Sequence, residues 1–69
     1  MRPGEKPTPE QIAKARERAK MTQEEAAALL YMKWRAWDRY EKGARKMHPA
    51  LWELWQIKAK IAQLEEAAA

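Results

Sequence analysis

Lys33, Arg35, Arg39, Lys42, Arg45 and Lys46 fall within a single stretch of the chain, with Asp38 and Glu41 as the acids among them. The stretch has an excess of four positive charges. That is the whole net charge of +4, because the other eight basic and eight acidic residues cancel. Cations gathered on one segment suit a polyanion, since each can neutralise a phosphate and release a condensed counterion. Arginine adds a rigid fork of donors that matches the O6 and N7 acceptors of guanine. Arg35 and Arg39 stand four residues apart, so a helix would turn both forks to one side. The chemistry open to this segment is contact with phosphates and base edges.

Reaction chemistry has far less to work with. The sequence holds one histidine (His48), no cysteine and no serine, so nucleophile–base pairs lack their usual members. Two glycines, Gly4 and Gly43, cannot make a glycine-rich phosphate loop. A lone histidine without cysteines builds no metal site. We therefore expect no enzyme, no metal, no cofactor and no small-molecule substrate. The absence of cysteine excludes a disulfide framework and fits a reducing compartment. No apolar run reaches the roughly 18 residues needed to span a bilayer, and no signal-peptide core follows Met1. The expected location is cytoplasmic, away from membranes.

Helices must position the cations, and the start and stop signals are easy to find. Met1 to Pro7 is a polar, Pro- and Gly-bearing segment expected to be a flexible arm, with Arg2 and Lys6 as possible backbone contacts. Thr8-Pro9-Glu10-Gln11 is a capping box with proline at the first helical position, opening a helix over about 9–20. Ile12, Ala15, Arg16 and Ala19 share its inner face, Arg16 through its stem. Lys14, Arg18 and Lys20 point outward, and Arg16 and Arg18 read as solvated charges. Thr22-Gln23-Glu24-Glu25 is a second capping box, starting a helix at Gln23 whose buried stripe is Ala26, Ala27 and Leu30. A turn at Tyr31 to Lys33 leads into a third helix, about 34–41. Trp37 and Tyr40 face the core from that helix, and Gly43 closes it as a left-handed cap. Ala44 to His48 is a basic loop, with His48 capping the last helix from Pro49 to about Glu66. A frayed tail is expected at 67–69.

The last helix carries two apolar stripes. Leu51, Trp52 and Trp55 suit the core. Leu54, Ile57, Ile61 and Leu64 follow 3-4-3 spacing and form a seam that a small domain does not need for itself. Sixty-nine residues lie near the lower limit for a core without staples. We expect the seam to be a homodimer interface that supplies the missing burial. The predicted class is all-α: a compact four-helix domain over 8–66 with a long C-terminal helix.

The stretch from Thr22 to Gly43 resembles the Cro/C1-type (XRE-like) helix-turn-helix of phage repressors and bacterial regulators. The matching positions are Thr22, Gln23, Ala27, the turn around Tyr31 to Lys33, Trp37, Glu41 and Gly43, in register without a gap. The likeness extends over about residues 8–60 and implies a lambda-repressor-like fold. It also implies that Gln23 contacts a DNA phosphate. Lys33, Trp34, Arg35, Asp38 and Arg39 would then occupy the major-groove face of double-stranded DNA, with Lys42 near the backbone. Arg45 and Lys46, in the loop after that helix, would adjoin the phosphates. The chain departs from the pattern at Tyr31, where glycine is usual, and at Lys33, where a small hydroxyl is usual. Either Tyr31 adopts a conformation that glycine tolerates more easily or the turn differs, and Lys33 is a poor helix cap.

The resemblance implies a dimeric transcriptional repressor of phage or mobile-element type, in a bacterial or phage-infected cell. It would bind a palindromic operator with half-sites about 34 Å apart. An antitoxin of a toxin–antitoxin pair is an alternative of the same class. A protein-interaction module that holds its partner through the Trp-rich last helix, without DNA, is the alternative from a different class.

Overall fold

The computed structural model describes residues 4–68, and side chains from Gly4 to Glu66. Four helices follow one another: α1 (Pro9–Arg18), α2 (Gln23–Ala28), α3 (Trp34–Glu41) and α4 (Pro49–Ala68). No strand occurs among the described residues. The fold is all-α, with four helices and a long C-terminal helix.

Three of the helices begin with a side-chain cap. Thr8 Oγ1 accepts the Gln11 N–H at 3.1 Å while the Thr8 N–H donates to Gln11 Oε1 at 2.9 Å. Thr22 and Glu25 repeat both bonds at the same distances. Each box satisfies two donors that a helix start would otherwise leave open. At α4, His48 Nδ1 accepts the Ala50 N–H at 3.0 Å, so His48 is a cap as its place before Pro49 predicts. Lys33 makes no side-chain cap at α3.

The first three helices stop in one way. Each is followed by a residue of positive φ, namely Lys20 (56°), Tyr31 (58°) and Gly43 (76°). The next residue donates its N–H back across the last turn: Met21 to Arg16 O (3.2 Å), Met32 to Ala27 O (3.1 Å) and Ala44 to Arg39 O (2.9 Å). This is the Schellman closure. Glycine meets it freely at Gly43, where an added Cβ would also sit 3.3 Å from Pro9 Cγ. Lysine and tyrosine hold the same conformation against their Cβ. Of the two outcomes open at Tyr31, the chain adopts the conformation that glycine tolerates more easily. Lys20 corrects the expected end of α1, which stops at Arg18 because Lys20 has already left the helix.

The core gathers Ile12 of α1, Ala26 and Ala27 of α2, Trp37 and Tyr40 of α3, and Trp52, Trp55 and Ala59 of α4, with Leu30 beside them. The two alanines let α2 lie closely along α3, the most extensive helix pairing in the fold. The Trp37 and Trp55 rings lie 5.0 Å apart and tilted, and Trp52 stacks on Trp55 at 6.0 Å. Trp55 Nε1 donates to Ala26 O at 3.0 Å, joining α4 to α2. Tryptophan thus contributes large apolar area while its N–H is satisfied.

Two further anchors go unsignalled by helical period. Met47 is fully buried, so the loop after α3 is pinned at its far end rather than being wholly solvated. Pro7 is buried too, which ties down the last residue of the expected 1–7 arm, while Met1 to Pro3 lie outside the described residues. At the other end α4 continues through Ala68, beyond the expected stop at Glu66, and Ala69 lies outside the described residues. Twenty residues of α4 extend about 30 Å at 1.5 Å per residue, and the molecule measures 36 Å along its longest axis.

Candidate nucleic-acid interface

Two faces of α3 divide the work. Trp37 and Tyr40 turn inward, and Glu41 leaves the helix beside them. Glu41 accepts from three donors. Arg16 Nε reaches Oε2 at 2.6 Å, Arg16 Nη2 reaches Oε1 at 3.2 Å, and Trp37 Nε1 donates to Oε2. Arg16 Nη1 donates to Met21 O at 3.0 Å, so the guanidinium also closes the end of α1. Arg16 is therefore a partly buried structural cation, which corrects its reading as a solvated charge. The hydrogen bond to Glu41, followed by the coulombic attraction of the same carboxylate, raises the Arg16 pKa above its ordinary value. Helical spacing places each member separately but does not pair them across 25 residues. Arg16 stands on the apolar face of α1, and Glu41 is four residues past a core tryptophan.

The opposite face of α3 meets solvent. Lys33, Arg35, Arg39 and Lys42 are placed there, and Trp34 is 43 % exposed at the N-terminal end. The Arg35 guanidinium lies 5.7 Å from the Trp34 ring centroid, within the range of a cation–π contact. Asp38 is the hinge of this face. Its Oδ1 accepts the Gln23 side-chain amide at 3.0 Å, and its Oδ2 pairs with Lys42 Nζ at 2.8 Å. The hydrogen bond from Lys42, then that from Gln23, holds the Asp38 carboxyl below the usual carboxylate range. Gln23, Asp38 and Lys42 thus form one chain of contacts from the start of α2 to the end of α3. A shallow groove lined by Thr22, Gln23, Glu24 and Trp34 runs between the N-terminal ends of the two helices.

Arg45 and Lys46 stand apart from that line. They are exposed on the loop that Met47 anchors, beside a hollow they share with Lys6, Pro7, Ile12 and Tyr40. The buried Met47 and Pro7 hold these neighbouring cations at the surface, a placement that period-based reading cannot supply. The nine candidate contact residues therefore fall into two groups, one on α2–α3 and one on the following loop. The seam residues Leu54, Ile57, Ile61 and Leu64 lie on α4, between 41 % and 61 % exposed. The described residues leave them without full cover.

No group of three metal-ligating side chains occurs among the described residues, and no described helix is long and apolar enough to cross a membrane. The chain matches no protein-family model and no curated protein.

Proposed function

We propose that the protein is a sequence-specific DNA-binding regulator of the Cro/C1 type, acting as a homodimer with α3 in the major groove. The observation that carries this reading is the outer face of α3. Lys33, Arg35 and Arg39 are exposed on one short helix and its cap, braced from behind by buried Trp37 and Tyr40. A helix fits the major groove, and a rigid one keeps its donors aimed at base edges. In this reading Arg35 and Arg39 read bases, and Trp34 contacts a thymine methyl or sugar. Asp38 orients Gln23 and Lys42 toward phosphates, because both of its oxygens are engaged by those two residues. Arg45 and Lys46 add backbone contacts. Repression follows by occupancy of an operator overlapping a promoter.

The alternative of a protein-interaction module relies on the tryptophans of α4. Trp52 and Trp55 are buried in the core, which removes those side chains from any docking surface.

Titration on duplex DNA across a salt series tests the proposal. Lys42, Arg45 and Lys46 from each of two protomers would neutralise up to about six phosphates, with Gln23 adding an uncharged hydrogen bond, so log K against log salt should have a slope of about −5. A slope near −1 would mean that the basic stretch is not the DNA surface.

A further inference from the structure

We propose that Tyr31, at the turn between α2 and α3, is part of the interface between two copies of this chain. The two α4 helices would cross antiparallel near Ile61 and Ala62. The inference rests on the homodimer proposed above and adds its register and its edge.

Tyr31 is an unusual residue for its place. Its φ of 58° is a conformation that glycine adopts at no steric cost, and the residue is 89 % exposed. A bulky aromatic in a strained, solvent-facing turn is a poor choice for folding alone. The ring has one neighbour of note, the Lys58 ammonium 4.1 Å from its centroid. Lys58 Nζ in turn donates to Leu29 O at 2.8 Å. That bond fixes the lysine beneath the ring and leaves two N–H donors for another acceptor.

Leu29, Tyr31, Lys58, Ile61, Ala62 and Glu65 line one groove between the turn and α4. The groove continues the exposed Leu54–Ile57–Ile61–Leu64 seam, so seam and turn make one apolar surface. Surfaces of this kind on a small domain are covered by a partner. Charge placement selects a second copy and gives its direction. If two α4 helices cross antiparallel at Ile61 and Ala62, Lys58 of each copy falls opposite Glu65 of the other. A parallel pairing would set Lys58 against Lys58 and Glu65 against Glu65. A two-fold axis therefore makes the surface complementary to itself in one direction only. Tyr31 then closes over the Lys58–Glu65 contacts at both ends of the interface. Trp34, three residues on, would bring the start of each α3 toward the axis.

Sedimentation equilibrium without DNA tests this, so a failure of the DNA reading would leave the result untouched. Tyr31→Gly should raise the dimer dissociation constant at least about tenfold. Its melting temperature at concentrations below dimerisation should not fall, because glycine relieves the strained turn. Glu65→Lys should also weaken the dimer, by about threefold to tenfold, because it sets Lys58 against a lysine. Lys58→Glu combined with Glu65→Lys should recover part of that loss relative to Glu65→Lys alone. Wild-type monomers at micromolar concentration would overturn the proposal, as would Tyr31→Gly dimers as tight as wild type. Unchanged dimerisation by Glu65→Lys would overturn the antiparallel register, and it decides this even if Tyr31→Gly proves unstable.

Discussion

The two carboxylates of α3 stand three residues apart, and each is engaged by one residue from another helix and one from α3 or its C-cap. Glu41 is partly buried and holds two Arg16 nitrogens and the Trp37 indole N–H, joining α1 to α3. Asp38 is nearer the surface and holds Gln23 and Lys42, joining α2 to α3. The bonds look alike, but their surroundings set their worth. Three donors partly removed from water depend on one acceptor, whereas the donors on Asp38 can turn to solvent. The inner carboxylate is part of the architecture, and the outer one arranges a surface.

The largest expected effect follows at Glu41. Replacing it by alanine leaves a guanidinium and an indole N–H short of an acceptor, at a cost of about 2–4 kcal/mol in urea denaturation. Glu41→Gln keeps one acceptor oxygen and should cost about half as much. A loss for Glu41→Ala no greater than that for Asp38→Ala would erase the distinction between the two faces.

Next comes Arg39, which lies on the outer face and forms no ion pair among the described residues. Arg39→Ala should cost about 1–3 kcal/mol per half-site on the operator and relax preference at one base pair, with little change in stability. Competition binding against single-base operator variants reads this directly. Wild-type affinity from Arg39→Ala would remove the groove assignment.

The smallest effect is expected at Asp38. Asp38→Asn should leave the midpoint of urea denaturation nearly unchanged, since a pair whose lysine is open to solvent contributes little. Its folded pKa is depressed, so its contribution is present above the ordinary aspartate range and is lost as pH falls through the lower folded value. An acid titration by NMR should show the Gln23 side-chain amide released from Asp38 only below the usual carboxylate range. Release of that amide near neutral pH would reassign the bond.

Much of the frame was legible in local chemistry. Thr8 and Thr22 announce their helices because a capping box lies within four residues. Trp37, Trp52 and Trp55 announce the core because helical spacing repeats over short distances. At Tyr31 the resemblance leaves two outcomes, a conformation that glycine tolerates or a different turn, and the chain adopts the first. The same conformation at Lys20 has no such signal, since lysine carries no turn preference, so α1 ends two residues short of the expected 9–20. Arg16 with Glu41 and Lys58 with Leu29 were missed for another reason. Each joins residues 25 or more positions apart, and only tertiary packing brings them together. Met47 escaped because a loop has no period. In the candidate interface, the cations and their division between α3 and the following loop were legible, but the buried Met47 and Pro7 that hold the loop were not.

Among the four tryptophans, Trp34 alone is substantially exposed, and the other three are buried within the core. The two populations differ optically. A collisional quencher such as iodide can reach the indole at the start of α3 while the emission of Trp37, Trp52 and Trp55 stays shielded. The accessible fraction of the intrinsic fluorescence thus reports the environment of that helix end, with no label attached. Anything that settles over α3 should protect this fraction from the quencher, and loss of the core would open the remainder to it.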